Sequence, residues 1–166
     1  MIETEIDETN LFEWCRRLIF HEGMRLKPYY CTAGKLTIGV GRNLEDNPLS
    51  SEEKKAIGNC MEGITKNGAL MLLRNDIKNC VGQLRRYVKG FDKLDVERQY
   101  ALLDMCFQLG IKGLRKFHGM LKDFEGGNFD MAAYECLHSL YAKQTPVRAK
   151  RIAYLIKFGV WKERFR

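Results

Sequence analysis

The sequence predicts an α+β protein that is mainly helical and carries one small sheet near its N-terminus. Along most of the chain, apolar residues recur three and four positions apart, which is the spacing of an α-helix. Between residues 26 and 44 the pattern changes to three short β-like segments, separated at Gly34, Gly39 and Gly41. The composition, with 166 residues, 45% hydrophobic and 30% charged, is that of a globular domain and excludes a disordered or fibrous chain.

The first helix is predicted to begin at Asn10, because Asn10-Leu11-Phe12-Glu13 has the form of a capping box. Gly23 is its predicted stop. The β-like stretch follows, and Cys31-Thr32-Ala33-Gly34 is predicted to form its first turn. This stretch is the only sheet signal in the sequence, so the rest of the fold is expected to be helical.

The later helices are predicted from their capping residues. A capping box opens a short helix at Ser50, and a longer helix begins at Thr65 and runs to about Tyr87. The helix that Asp95 caps is apolar nearly all round, which predicts the buried centre of the C-terminal part. Further helices are expected near 115–124, near 129–138, and from Thr145-Pro146 to about Phe158.

The net charge of +7 is unevenly distributed: residues 1–75 carry −1 and residues 76–166 carry +8. A basic C-terminal part suggests a polyanionic partner such as nucleic acid, an acidic membrane or an anionic cell wall. A solvated basic surface is the simpler alternative. No apolar run approaches the ~20 residues of a membrane helix, and the acidic N-terminus does not resemble an export signal.

The cysteines and histidines do not predict a metal site. The six cysteines include no Cys-x-x-Cys pair, and the three histidines lie far apart in the sequence. Without an export signal the thiols are expected to stay reduced, most of them as small core residues. We therefore expect no metal and no cofactor.

One spacing could carry chemistry: Glu22, then eight residues to Cys31, then five to Thr37. A helix end, a turn and a strand can bring these three side chains to one cleft. Read alone, this spacing is a weak signal of a catalytic site. Taken singly, each residue has a simpler reading as a solvated glutamate, an incidental turn cysteine or a strand threonine.

A wider resemblance gives this spacing its context. Residues 22–29 and 37–41 resemble the phage lysozymes of the T-even type, which are endolysin muramidases. The resemblance continues in order to about residue 162. Its further segments are Gly63-Ile64-Thr65, Phe107-Gln108-Leu109-Gly110, Gln144-Thr145-Pro146, Arg148-Ala149-Lys150-Arg151, and Gly159 with Trp161.

This resemblance implies a lysozyme-like two-lobe fold with a small three-stranded antiparallel sheet in the N-terminal lobe. That lobe would cover about residues 10–64, and a connecting helix would cover about 65–87. A helical lobe would follow at about 88–166, with the first helix packing on it.

The resemblance also implies roles for residues of the site. Glu22 would be the general acid, and Thr37 would help to hold the attacking water. Cys31 stands where the family usually has Asp, and would serve as a base and water positioner or as a nucleophile. The implied substrate-binding residues are Tyr29, Arg42, Asn43, Phe107, Gln108 and Arg148, and the last is also expected to pair with Glu22.

Several of these positions depart from the T-even pattern. Arg42 and Asn43 stand where that family has His and Leu, and no binding role is carried over to Met120 or Glu135. An unperturbed thiol is only about 3% ionised at pH 7. Either the site lowers the pKa of the cysteine thiol, or a neutral thiol positions water, or the thiolate attacks the sugar directly.

The expected function is therefore that of an endolysin. It would cleave the β-1,4 bond between N-acetylmuramic acid and N-acetylglucosamine in peptidoglycan, as a monomer without cofactors. It would accumulate in the cytoplasm of a host bacterium and reach the wall through a separate holin-type pore protein. Two alternatives are an inactive peptidoglycan-binding protein, which has lost hydrolysis through the Asp-to-Cys change, and a basic nucleic-acid binder. No helix-turn-helix pattern supports the latter, and no stable membrane insertion is expected.

Overall fold

A computed structural model describes residues 5–164 of the chain. They form eight α-helices and one sheet of three strands, so the predicted mainly helical α+β class is confirmed. The helices are α1 (Glu8–Glu22), α2 (Ser51–Ile57), α3 (Lys66–Tyr87), α4 (Val96–Leu114), α5 (His118–Gly126), α6 (Phe129–Leu137), α7 (Leu140–Gln144) and α8 (Pro146–Phe158). The strands are β1 (Arg25–Tyr30), β2 (Leu36–Gly39) and β3 (Arg42–Asn43), and two 3-10 segments are Cys60–Glu62 and Phe91–Lys93.

The chain divides into two compact units, Met1–Lys78 and Asn79–Arg166, and the division falls within α3. The first unit contains α1, the sheet and α2, and the second contains α4 to α8. The lobe boundaries implied by the resemblance, and the packing of the first helix on the C-terminal lobe, remain predictions.

The sheet of the first unit is antiparallel, with the strand order β1-β2-β3. Tyr29 is paired with Thr37, and Thr37 is in turn paired with Asn43, so the three strands share one register line. The predicted turn at residues 31–34 is present, because the Gly34 amide donates to the Cys31 carbonyl oxygen at 2.8 Å. Pairing is irregular between Arg25 and Tyr29, a segment that includes a proline and its missing amide donor.

The predicted start of the first helix is wrong, because the observed helix begins about one turn earlier than Asn10. Helix α1 begins at Glu8, and its N-cap is Asp7, whose carboxylate accepts a hydrogen bond from the Asn10 amide at 3.1 Å. Asp and Asn are both good N-caps, and the acidic residue lies further upstream. The predicted end is confirmed, because Gly23 caps the helix with φ 73°.

The other predicted N-terminal caps are confirmed. Ser50 and Glu53 form the complete capping box of α2, and Asp95 accepts from the Arg98 amide at the start of α4. The hydroxyl of Thr65 accepts from the Gly68 amide at 3.0 Å where α3 begins. The short helix α7 was not predicted. It lies directly before Pro146, where the final helix begins as expected.

Each unit has its own set of fully buried side chains. In the first unit they come from α1, β2 and the first half of α3: Leu11, Leu18, Ile38, Leu72, Leu73 and Ile77. In the second unit α4 supplies most of them, including Tyr100, Leu102, Leu103 and Met105, which confirms that this helix is the buried centre of its unit. Gly110 interrupts α4 with φ 74°, just after the segment Phe107-Gln108.

Candidate active site

The general-acid candidate Glu22 is the last residue of α1. The helix ends there because Gly23 adopts a positive φ that other residues avoid, and its amide donates back to Ile19 at 2.7 Å. The half-buried Glu22 carboxylate lies against the backbone of Gly41, between β2 and β3. A Cβ atom placed on that glycine would lie 3.1 Å from Oε2 of Glu22. The helix end and the hairpin therefore meet at this carboxylate.

Cys31 lies in the turn after β1, where several donors surround its sulfur. The pKa of its thiol is lowered from the ordinary value, chiefly by the Lys35 backbone amide and further by the Ala33 amide and the Thr37 hydroxyl. The same turn is closed by the Cys31 amide, which donates to the Lys35 carbonyl at 2.9 Å. Converging backbone amides stabilise an anion. Of the three possibilities for this cysteine, the local structure favours a site that lowers the thiol pKa.

Thr37 and Tyr29 complete this group on the hairpin. Thr37 is buried on β2, and its hydroxyl donates to the Lys35 carbonyl at 2.9 Å while remaining within reach of the Cys31 sulfur. Burial raises the pKa of the Tyr29 phenol, and the negative charges of Glu22 and Cys31 raise it further. Tyr29 therefore lies close to both groups. The first unit brings together four of the predicted site residues, Glu22, Tyr29, Cys31 and Thr37.

Arg42 is placed differently from its expected role. Its guanidinium is 3% exposed and is bound by both carboxylate oxygens of Glu53 on α2, at 3.0 to 3.2 Å. Its Nε lies 3.2 Å from Oδ1 of Asp76 on α3. This placement does not support direct substrate contact by Arg42. Instead the side chain anchors β3, and with it the adjoining Gly41, to two helices.

The pKa values of the two carboxylates around Arg42 are shifted in opposite directions: that of Glu53 is lowered and that of Asp76 is raised. Burial acts to raise the pKa of Glu53, but hydrogen bonds from Asn75 and from the Ser50 amide, together with the Arg42 charge, lower it overall. Burial raises the pKa of Asp76 to about 6, although Arg42 and Asn47 act to lower it. One arginine cannot neutralise two buried carboxylates, so the second carboxylate keeps its proton to a higher pH.

Asn43 uses its side chain within its own turn. Its Oδ1 accepts from the amides of Glu45 and Asp46, each at 3.0 Å, and its Nδ2 donates to the Asp46 carboxylate at 2.9 Å. Such an Asx-type turn holds the chain that leaves β3. The substrate contact expected of Asn43 remains a prediction.

The second unit holds the other three predicted site residues. Gln108 lies near the kink of α4, and its Nε2 donates to the Thr145 hydroxyl at 3.3 Å. Its side-chain carbonyl is buried and accepts no hydrogen bond from residues 5–164. Phe107, next to it, is half-buried. An unpaired buried acceptor is uncommon in a folded protein, so this carbonyl stands out among the described residues.

Arg148 lies in the first turn of α8, where its Nε donates to Asp104 at 2.8 Å. Asp104 is fully buried on α4 and also accepts from the Tyr100 hydroxyl at 2.7 Å. The arginine is thus held by a carboxylate of its own unit. Its expected pairing with Glu22 remains a prediction.

Sequence reasoning missed four residues that shape these surroundings. Glu53 was recognised only as a helix cap, and Asp76 and Asp104 were assigned no role at all. Gly41 was noted only as part of a motif. The spacing Gly39-Val40-Gly41 was the one available signal for the close approach to Glu22, whereas buried carboxylates on distant helices leave no local pattern.

The described residues contain neither a metal-binding cluster nor a helix that could span a membrane. Residues 5–164 contain no group of three or more His, Cys, Asp and Glu side chains arranged to hold a metal ion. In the same part of the chain, every helix is too short or too polar to cross a membrane.

Comparison with known proteins identifies the class. The end of α1 carries a carboxylate and the adjoining hairpin carries further polar groups, and a glycoside hydrolase requires an acid and a second such group. The family described as phage lysozyme matches residues 20–152. The chain therefore belongs to the phage lysozyme family, a family of glycoside hydrolases.

Individual relatives agree with this assignment. The chain is 28% and 30% identical to two probable T4-type lysozymes of Dictyostelium discoideum, over 88% and 86% of its length and 94% and 92% of theirs. It is also 30% identical over 151 residues to the pre-baseplate central spike protein Gp5 of Enterobacteria phage T4. That match covers 83% of this chain but only 26% of the spike protein, so the chain spans about a quarter of that relative.

Proposed function

We propose that this protein is a muramidase that hydrolyses the β-1,4 bond between N-acetylmuramic acid and N-acetylglucosamine in bacterial peptidoglycan. The observation that supports it most is that Glu22, at the end of α1, lies against Gly41 of the hairpin that also carries Cys31 and Thr37. The family assignment supplies the reaction class. Glu22, in its protonated form, gives its proton to the glycosidic oxygen as the bond breaks.

Cys31 acts as a thiolate in this proposal. The amides of Lys35 and Ala33 hold the pKa of the thiol below its ordinary value, so a larger fraction is ionised near neutral pH than for a free thiol. Two routes are then open. If the thiolate orients and deprotonates a water molecule held by Thr37, the configuration at the anomeric carbon inverts. If the sulfur attacks that carbon, a thioglycosyl intermediate forms and hydrolysis retains the configuration.

Product stereochemistry separates the two routes. Proton NMR of the first turnovers on a soluble peptidoglycan fragment would show the anomer released before mutarotation. We expect the inverted anomer, as in the T-even enzymes that the sequence resembles. A retained anomer would assign the nucleophilic route to Cys31 instead.

The remaining site residues bind the glycan. Tyr29 borders both reacting groups, and Phe107 and Gln108 offer a ring and an unsatisfied carbonyl to sugar units. Arg148 is likewise proposed to bind the glycan. Arg42 is assigned a structural role, because Glu53 and Asp76 already surround its guanidinium.

The test is hydrolysis of purified sacculi, measured as new reducing ends. Glu22→Gln keeps the side-chain size but cannot donate a carboxylic proton, so we expect a loss of roughly 100-fold or more. The matched control is Glu52→Gln, an exposed carboxylate on α2, which should leave the rate unchanged.

Binding without hydrolysis would contradict the proposal. If the wild-type protein sediments with sacculi but releases no reducing ends in any buffer, the chain is the inactive wall-binding protein considered from the sequence. If Glu22→Gln hydrolyses sacculi as fast as the wild type, the reaction does not use this glutamate.

We also propose the cellular setting of an endolysin. The protein accumulates in the host cytoplasm and reaches the wall through a separate holin-type pore protein, acting there as a monomer without cofactors or nucleic acid. The family supports this setting. Expression in the cytoplasm of a Gram-negative bacterium, with and without a pore-forming protein, tests it. We expect lysis only with the pore, and lysis without it would contradict the dependence. Light scattering during gel filtration checks the monomer.

A further inference from the structure

Two cysteines of the second unit lie side by side, Cys80 on α3 and Cys106 on α4. The thiol of Cys106 makes a hydrogen bond with the thiol of Cys80, and its sulfur lies 4.0 Å from Oε1 of Gln83. Cys80 and Gln83 are three residues apart on one helix, so they occupy the same face of α3. Both contacts therefore place the Cys106 sulfur against the face of α3 that carries Cys80.

The two thiols differ in accessibility. Cys106 is 1% exposed, whereas Cys80 is half-buried and is therefore the more accessible residue of the two. The hydrogen bond with Cys80 lowers the pKa of Cys106, although burial opposes this. Cys136 shows the usual effect of burial, which raises the pKa of its thiol to about 12. Cys106 is therefore more readily ionised than an inert core cysteine.

We propose that Cys80 and Cys106 form a redox-sensitive thiol pair, which closes to a disulfide between α3 and α4 when the folded protein meets a disulfide oxidant. The proposal rests on the juxtaposition of the two side chains in the second unit. It is independent of glycan hydrolysis, because neither cysteine is assigned to that reaction.

Disulfide exchange supplies the chemistry, with glutathione disulfide as the oxidant. The accessible Cys80 attacks as its thiolate, breaks the glutathione S–S bond and releases one glutathione thiolate. The Cys106 thiolate then attacks the Cys80 sulfur of the mixed disulfide and expels the second glutathione. The two protein thiols lose two electrons, the oxidant gains them, and the two released protons protonate the two glutathione thiolates.

Closure should stabilise the second unit. A disulfide between residues 80 and 106 closes a loop of moderate length and removes chain entropy from the unfolded state. For a protein of this size we expect the Tm to rise by roughly 5–10 °C on oxidation. Both thiols persist in a reducing cytoplasm, and the bond forms in an oxidising compartment.

Peptide mapping of the wild-type protein tests the pair directly. The folded protein is incubated with glutathione disulfide, quenched in acid, alkylated and digested with trypsin without reductant. We expect a disulfide-linked pair of the peptides Asn79–Arg85 and Gln99–Lys112, each of which contains one cysteine. Reductant should separate the two peptides and lower the Tm to its original value.

Two variants separate the roles of the two sulfurs. Cys106→Ser cannot resolve the first intermediate, so Cys80 should accumulate as a mixed disulfide with glutathione. Cys80→Ser should leave the buried Cys106 unmodified. Recovery of residues 80 and 106 as thiols in the oxidised wild-type protein, or as separate glutathione adducts, overturns the proposal. So does linkage of either cysteine to another position, or linkage that forms only after denaturation.

Discussion

The carboxylate of Glu22 lies directly against Gly41, closely enough that a Cβ atom on the glycine would be 3.1 Å from Oε2. Two separate features of the structure require a glycine at this position. Its φ of +67° suits a residue without a side chain, and its missing side chain leaves the space that the Glu22 carboxylate occupies. The turn between β2 and β3 therefore sets where this carboxylate can lie.

Gly41→Ala should lower kcat by roughly 10- to 100-fold, because the added methyl group displaces the Glu22 carboxylate. The backbone strain alone should reduce stability by about 1 kcal/mol. Gly58→Ala is the matched control: its φ is +79°, but a Cβ there meets nothing within 4 Å. That variant should lose similar stability and keep full activity on sacculi. Equal activity in both variants would remove the steric argument.

Thr37→Val should raise the pKa of Cys31, because the hydroxyl is one of the groups that lower it. Thiolate would then appear only at higher pH, and activity near neutral pH should fall by about tenfold or more. The pH dependence of the Cys31 alkylation rate measures the shift. Thr37→Ser should restore both values, and Thr32→Val, at the exposed neighbour of Cys31, should change neither. An unchanged alkylation profile in Thr37→Val would contradict the role of this hydroxyl.

Arg42→Met should destabilise the protein by about 3–5 kcal/mol, because it leaves the carboxylates of Glu53 and Asp76 buried without their counter-charge. Urea unfolding at pH 7 measures the loss. Adding Glu53→Gln to this variant should recover part of it. Arg85→Met removes a more exposed ion pair with Asp92 and should lose less than about 1 kcal/mol. Similar losses in the two single variants would show that burial of the Arg42 cluster has little energetic effect.

Asp76 should make stability depend on pH. Its pKa of about 6 in the folded protein lies above the ordinary value of 3.8, so the folded state binds the proton more tightly. The protein should therefore lose roughly 2–3 kcal/mol between pH 4 and pH 7 through this group. Asp76→Asn cannot titrate, so its stability relative to wild type should rise over that interval.

Glu53 provides a control, because its effect on the pH dependence of stability has the opposite sign. The pKa of Glu53 is lowered in the folded protein, so this group stabilises the protein above its unfolded pKa and loses that effect as the pH falls. Glu53→Gln should therefore become less stable relative to wild type as the pH rises. Parallel urea-unfolding profiles for Asp76→Asn and wild type would contradict the raised pKa.

Gln108→Met should separate binding from stability. It removes a buried carbonyl that accepts no hydrogen bond from the described part of the protein, but also the hydrogen bond to Thr145, so the two effects oppose each other and stability should change by less than about 1 kcal/mol. If that carbonyl binds the glycan, KM on a soluble peptidoglycan fragment should rise about 5- to 10-fold with kcat little changed. Gln99→Met, on the same helix, removes a hydrogen bond to Phe91 and should affect only stability. An unchanged KM in Gln108→Met would exclude the glycan contact.

Local patterns predicted the secondary structure well where one residue controls the backbone. Gly23 ends α1, Ser50 and Asp95 begin their helices, and the glycines of the hairpin separate its strands. The misplaced boundary at Asn10 arose because Asp7 competes for the same role and both residues are good caps. Caps act within one turn of helix, so competition between neighbouring caps is where this reasoning is weakest.

The residues of the candidate site likewise fall into two groups, those that short-range signals predicted and those that depend on distant segments. The order of Glu22, Cys31 and Thr37 on a helix end, a turn and a strand follows from short-range signals, and so does the thiol's environment, because its donors lie within six residues of it. Arg42 could not be assigned in this way. Its partners come from α2 and α3, and only folding brings Glu53 and Asp76 around it.

Hydrophobic periodicity, caps and glycine positions are encoded over a few residues, and they sufficed for the α+β class and for the elements that carry the reacting groups. The burial of charges, the closeness of Cys80 to Cys106, and the space that Gly41 leaves for Glu22 depend on contacts between distant segments. Desolvation and side-chain proximity are properties of packed surfaces, so they exist only once the chain has folded.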